Sequence, residues 1–403
     1  MVEYVVDRVV RDVYVLKVND RHTKYFEALW EIPEGISYNA YLVKTGEGAI
    51  LIDGWKSIYS GKLLELLERL IDRDELRYII VQHTEPDHTG SLEDVARWAE
   101  NATVLGHPMA KRIMGSGYPI ATSRFKPVRD GETIELGGVK LQFIYAPWLH
   151  WPDTIYTWMP DSGVLFTCDS FGAYGATSCV FDDECRYHDL ILRWTKKYVV
   201  TVIGSYRKFI VRALEKIKKL GVKPKIIAPG HGVVWRKDPS LIVDYYERLA
   251  TGVPHGEKIT VIYASMYGST EAAAVTLARH LNRRGAHVVL HPFTDTTRSL
   301  LSEILADVID SKALVIAAPT YEAGLFPLME LVLDEICAKA SGEKPFAIIS
   351  SYGWGGIAAK RIREKLESCG FKLAGVYEEQ MVSPQGLVSD ESALEALAAK
   401  LLG

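Results

Sequence analysis

Residues 81–91 read VQHTEPDHTGS, and within them His83, Glu85, Asp87 and His88 crowd four potential metal ligands into one turn. The preceding RYIIVQH is an apolar run of strand length, so the cluster begins where a buried strand ends. A strand that stops in a loop can aim several side chains at one point, whereas a continuing strand would send them to alternate faces. Pro86 stiffens the turn. Any one of these histidines alone would read first as part of a solvated polar loop, but four ligand-type residues at this spacing favour a metal site, and the rest of the chain tests that reading.

Working outward, YNAYLVKTGEGAILID reads as two strands joined by a Gly-containing turn, and KLLELLERLI as an amphipathic helix. After the cluster come a helix near SLEDVARWAE, strands near VKLQFIYAP, TIYTWMP and GVLFTCD, a long helical region from about Asp189 to Leu220, and a last apolar strand, KIIAPGHG. Three further ligand-type residues each follow a strand: His150 in LHWPD, Asp169 after VLFTC, and His231 in GHG. Singly, each is as readily an ordinary loop residue. Arriving in order at strand ends, they make a metal site the better reading. His107 has no companion at ligand spacing and reads as a hydrogen-bonded loop histidine. Trp148 and Trp151 flank His150 as an apolar wall. Cys168 directly precedes Asp169 and, on a strand, should face the other way.

Around residues 251–258, TGVPHGEK, the periodic pattern lapses into Gly, Pro and polar residues, marking a linker between a domain at 1–250 and another at 259–403. Beyond it ITVIYAS, HVVLHPF, ALVIAAP, FAIISSY and a short strand near LAGVYEE alternate with helices, which predicts a doubly wound parallel sheet. Three loops follow its strands: Ser265, Met266, Tyr267, Gly268, Ser269 and Thr270; Pro319, Thr320, Tyr321, Glu322, Ala323 and Gly324; Ser351, Tyr352, Gly353, Trp354, Gly355 and Gly356. The first opens a helix with hydroxyls and backbone N–H groups suited to a phosphate, although Ser, Gly and Thr are also ordinary helix caps. It is neither a GxGxxG loop nor a GxxxxGK loop. All three loops gather at the carboxyl edge of the sheet, where open α/β sheets bind ligands.

The composition sets limits. The 403 residues exceed one ordinary core and point to two domains. A net charge of −4 offers no basic field for nucleic acid. The N-terminal MVEYVVDRVVRDVYVLKV is interrupted by charges, so it is neither a signal peptide nor a membrane span. Five cysteines without a CxxC pair argue against a disulfide framework and against a built-in rubredoxin; Cys179 and Cys185 could pair or cap the pocket but read first as surface or core thiols. The expected compartment is the reducing cytoplasm.

The order His83, Glu85, Asp87, His88, His150, Asp169, His231 resembles the metallo-β-lactamase superfamily, whose αββα sandwich gathers metal ligands along one edge. Hydrolytic members show HxHxDH; here Glu85 replaces the second histidine, a harder, more anionic ligand that shifts preference from zinc toward iron. The HxExDH form resembles the flavodiiron proteins over nearly the whole chain. That resemblance implies a non-haem diiron centre, with His83, Glu85 and His150 on one iron, Asp87, His88 and His231 on the other, and Asp169 bridging. The second half resembles flavodoxin, with the first loop on the FMN phosphate and the other two around the isoalloxazine ring. Glu322 departs from the Asn common there; it either tunes the flavin or points to solvent. The implied activity is reduction of O2 to water, of NO to N2O, or both. Electrons would come through FMN from an external donor, a reduced rubredoxin or reduced coenzyme F420. A head-to-tail homodimer or dimer of dimers is implied, the flavin of one subunit serving the diiron site of another. The competing readings are a metallo-hydrolase fused to a flavodoxin domain and an electron carrier with a vestigial metal site.

Overall fold

The computed structural model describes residues 2–380 and 388–402, and the chain divides into two compact units, Met1–Thr251 and Gly252–Gly403. Each is taken by itself. Among the described residues no helix is long and apolar enough to cross a membrane.

In the first unit, β1 (Val2–Val10), β2 (Val13–Asp20), β3 (Ile36–Thr45), β4 (Gly48–Ile52), β5 (Leu76–Val81), β6 (Thr103–Gly106) and β7 (Phe125–Pro127) form one sheet in chain order. A second sheet is built from β8 (Thr133–Leu136), β9 (Val139–Tyr145), β10 (Ile155–Met159), β11 (Val164–Cys168) and β12 (Ile226–Pro229). The sheets share one apolar core: Val15, Tyr41, Val43, Ile52 and Ile80 from the first meet Phe143, Ile155, Phe166 and Ala228 from the second. Alternation along each strand sends these side chains inward, the pattern of a sheet sandwich. β9 and β11 both run antiparallel to β10, and β12 is parallel to β11, so β9, β11 and β12 all end at the same edge.

The helical region expected near 189–220 is found, in four contiguous segments. It is α1 (His188–Tyr198), a π-helical turn at Val199–Ile203, a 3-10 turn at Gly204–Tyr206 and α2 (Arg207–Lys219). The turn's sequence, VVTVI, is β-branched throughout and wholly buried, a poor run for a regular helix.

The second unit has five parallel strands, β13 (Lys258–Ala264), β14 (His287–Phe293), β15 (Ala313–Tyr321), β16 (Pro345–Tyr352) and β17 (Lys372–Gln380), in the order β14-β13-β15-β16-β17. That is the flavodoxin-like order, with its switch point between β13 and β15. The strand expected to be short near LAGVYEE spans nine residues.

Candidate metal and flavin sites

β5 ends at Val81, and Pro86 then opens a single helical turn, Pro86–Thr89, which turns Asp87 and His88 inward. His150 follows β9, Asp169 follows β11 and His231 follows β12, so all seven predicted residues come together at one sandwich edge, each at most 9% exposed. They sort into two sets. Glu85 Oε2 lies 2.8 Å from His150 Nε2 and 3.4 Å from His83 Nε2. Asp87 lies 3.6 Å from His88 Nε2 through one oxygen and 3.3 Å from His231 Nε2 through the other. Asp169 stands between them: Oδ2 is 3.1 Å from His150 and 3.5 Å from His83, while Oδ1 is 2.9 Å from His88 and 3.2 Å from His231.

The electrostatics suit cations. Burial opposes ionisation of Asp169, but His83 and His88 outweigh it and hold the carboxyl well below its usual range. Asp87 is likewise lowered, burial being overcome by His88 and His231. Conversely, burial pulls His88 down while Asp87 and Asp169 raise it to about 10. Protons here stand in for positive charge that the carboxylates demand.

Cys168 is a correction. It closes β11 with φ at +47°, so strand alternation stops at it, and its sulfur lies within 4.8 Å of ligand atoms of His83, His88 and Asp169. The expectation of unpaired thiols fails too: Cys179 is joined to Cys185 and Cys337 to Cys369, each with Cα atoms 5.5 Å apart, leaving Cys168 free. The second pair lies 32 residues apart and is brought together by helix packing, which spacing could not show. Of the two tryptophans, Trp151 stacks on His83 at 6.0 Å, whereas Trp148 is 41% exposed and stacks on Tyr206 instead. His107 sits outside the cluster, its Nδ1 accepting from the Met109 amide at 3.1 Å.

Sequence reading missed the residues around the ligands. Asp53, in a left-handed conformation after β4, accepts from the Gln82 amide and side chain, both at 2.9 Å, and so fixes the residue before His83. Gly230 backs His88: a Cβ there would meet His88 Cε1 at 2.5 Å. Tyr38 and Tyr198 are fully buried, with rings 5.5 Å from that of His231 and hydroxyls lacking a hydrogen-bond partner. No motif marks them; only the fold brings them to the cluster.

In the second unit a small cleft is lined by Ser265, Met266, Tyr267, Ser269, Thr270, Pro319, Thr320, Ser351, Tyr352 and Gly353, from all three predicted loops. The loops are tied together: Thr270 Oγ1 meets Ser351 Oγ at 2.8 Å, and Thr320 Oγ1 accepts from the Ile357 amide at 3.0 Å. Gly268, at φ +91°, admits the left-handed turn into the helix Ser269–Arg283. Gly268, Tyr321, Glu322, Ala323, Gly324, Trp354, Gly355 and Gly356 do not line the cleft. Glu322 points to solvent at the tip of a hairpin pairing Tyr321 with Gly324.

Residues 36–232 match the family model of the ODP family beta lactamase, and residues 261–400 that of flavodoxin. A nitric oxide reductase from Moorella thermoacetica is 31% identical over 362 residues, spanning 90% of this chain and 89% of that one. A flavo di-iron protein from Thermotoga maritima, solved as a point variant, is 38% identical with a TM-score of 0.92, over 100% of this chain and 98% of that one. The chain belongs to the flavodiiron proteins. A rubredoxin oxygen:oxidoreductase from the anaerobe Desulfovibrio gigas also matches, 27% identical, TM-score 0.92, over 98% of both chains. Membership of the flavodiiron family brings FMN and two iron ions with it, and the residues present fit both. His83 Nε2, both oxygens of Asp87 and His231 Nε2, which face the cluster, are buried with no hydrogen-bond partner. Such orphaned donor atoms, converging from imidazoles and carboxylates, are what a metal pair satisfies. The flavin cleft is lined by the hydroxyl-bearing Ser265, Ser269, Thr270, Thr320 and Ser351 and by Tyr267, which stands 69% exposed, uncovered aromatic surface suited to a flat ring.

Proposed function

We propose that this flavodiiron protein reduces O2 to water, NO to N2O, or both, at a diiron centre fed through FMN by an external donor. The observation that carries the reading is Asp169, whose two oxygens face two separate sets of ligands. On this reading His83, Glu85 and His150 hold one iron, Asp87, His88 and His231 the other, and Asp169 bridges. Ser265 to Thr270 would take the FMN phosphate, and the loops 319–324 and 351–356 would flank its ring. The irons and flavin supply the electrons: two ferrous ions and one reduced FMN hold the four that O2 needs, while joining two NO takes two.

The chain's own residues do the rest. Ligands at most 9% exposed keep bulk water from the reacting gas, and Trp151 covers His83. Tyr198 and Tyr38 each hold a proton beside the pocket: burial, then Asp169 for Tyr198 and Asp87 for Tyr38, raises both phenols well above their ordinary pKa. Both hydroxyls are buried without a hydrogen-bond partner, so each has a proton free to donate.

The donor, a reduced rubredoxin or reduced F420, is part of the proposal, as are the domain limits 1–250 and 259–403 and the head-to-tail dimer. In the test, protein made with iron and zinc both present is analysed for metal and flavin. It is then reduced by each donor in a stopped-flow instrument and mixed with O2 or NO. Two irons and one FMN per chain, with gas consumed, is the expected result. Zinc, ester or thioester hydrolysis and no gas uptake would favour the metallo-hydrolase reading. Flavin reduced by rubredoxin alone would exclude F420 as donor.

A further inference from the structure

The polar seam between the two sheets beside His231 has no place in the chemistry so far. On β2 and β3 the register sets Val15 opposite Tyr41, Lys17 opposite Asn39 and Asn19 opposite Ser37, so these side chains share the face that meets the second sheet. Low on that face Val15, Tyr41 and Val43 join the apolar core. Toward the metal edge it turns polar, yet Lys17, Asn19, Ser37 and Asn39 are each at most 1% exposed. Burying so many polar groups is costly unless each is bonded.

Asn19 Nδ2 turns to Glu3 Oε2 at 3.3 Å, and Lys17 Nζ also donates to the Cys179 carbonyl at 3.0 Å. The remaining bonds of Lys17, Ser37 and Asn39, with that of Tyr41, converge on one loop, Pro229 to Gly232. Tyr41 Oη donates to the Pro229 carbonyl at 2.6 Å, and Asn39 Nδ2 to the same oxygen at 2.9 Å. The Asn39 amide donates to the Gly230 carbonyl at 2.8 Å. The Gly232 carbonyl receives three donors, Lys17 Nζ at 3.0 Å, Asn39 Nδ2 at 3.3 Å and Ser37 Oγ at 3.4 Å. The Gly232 amide donates to Ser37 Oγ at 2.8 Å. His231 Nδ1 lies 2.7 Å from the Ser37 carbonyl. A carbonyl only accepts, so Nδ1 carries the proton and Nε2 presents its lone pair to the pocket.

We propose that Lys17, Ser37, Asn39 and Tyr41 are positioning residues that clamp one of the two metal positions, the one lined by Asp87, His88 and His231, and leave the other unaffected. This rests on the ligand assignment above. The clamp acts on the loop that carries His231, and Gly230 of that loop backs His88, so it sets two of the three ligands of that position. Among the described residues these four side chains make no hydrogen bond to His83, Glu85 or His150.

The test uses the full-length holoprotein and the variants Lys17→Met, Asn39→Leu, Tyr41→Phe and His231→Ala. Iron release to a chelator is followed together with the Mössbauer signals of the two irons. Lys17→Met and Asn39→Leu should release one iron about 10- to 100-fold faster than the parent, with the other iron at the parental rate. Tyr41→Phe keeps all three donors to Gly232 and should show a smaller change of the same kind. Equal acceleration of both irons, as general loosening would produce, overturns the clamp, and so do parental rates for both. If neither of the first two variants folds, Tyr41→Phe decides, a parental rate at this position counting against the proposal. A His231→Ala protein that keeps both irons as tightly as the parent would instead overturn the ligand assignment. Loss of one iron in His231→Ala but not in Lys17→Met or Asn39→Leu overturns the clamp alone.

Discussion

Glu85 places one carboxylate oxygen 2.8 Å from His150 Nε2 and 3.4 Å from His83 Nε2, where an imidazole would make the set softer and less anionic. The Glu85→His protein should therefore bind more zinc relative to iron and lose at least about 10-fold in gas reduction, read from metal analysis and gas uptake on the same sample. The residue types of the seven converging positions were legible because imidazole and carboxylate side chains past strand ends have few other uses in such number. Cys168 was not: strand alternation is a rule for extended backbone, and the left-handed φ that breaks it leaves no mark in the sequence. Tyr38 and Tyr198 escaped notice because a buried tyrosine is ordinary until its hydroxyl is seen to lack a partner.

Elements carry two further predictions. The hairpin after β15 turns at Glu322 and Ala323, both with positive φ, +46° and +59°. Such turns favour Asn and Gly, and a side chain in this conformation costs about 1–2 kcal/mol. Ala323→Gly should stabilise the second unit by about 0.5–1 kcal/mol after the added freedom of the unfolded chain is subtracted, measured by urea unfolding followed by flavin fluorescence. On β2, burial, only partly offset by Glu3, lowers the Lys17 pKa from 10.5 to about 7. Between those values the unfolded chain binds more protons than the folded one, so Lys17 makes stability rise with pH across that window. Lys17→Met should remove that rise, seen as a stability difference, parent minus variant, that grows from pH 7 to pH 10. Strands and helices were largely legible from periodicity. The π-helical turn after α1 and the Cys337–Cys369 pair were not, since both depend on what packs against a helix rather than on its own pattern.

At the scale of the molecule the proposed head-to-tail arrangement has its own consequence. A chain carrying Asp169→Asn keeps its flavin cleft, and a chain carrying Ser269→Glu, with a carboxylate where a phosphate is expected, keeps its metal edge. Each should be inactive alone. Co-expressed, they should recover a substantial part of the gas-reducing activity, because one subunit's flavin would serve the other's irons. Activity that stays at the level of the separate variants, with mixed dimers shown by native mass spectrometry, would put electron transfer within a single chain.

The sequence by itself determined which imidazole and carboxylate side chains follow strand ends, the alternation that makes a doubly wound sheet, and, through Glu85, the harder, more anionic character of the proposed ligand set. These follow from side-chain chemistry and from periodicities of a few residues, which are local. Only the tertiary structure decided that Asp169 faces two ligand sets, that Lys17 and Asn39 hold the loop of His231, and that Cys168 turns toward the cluster. Each of these joins residues far apart in the chain or depends on one backbone angle, and no local pattern encodes either.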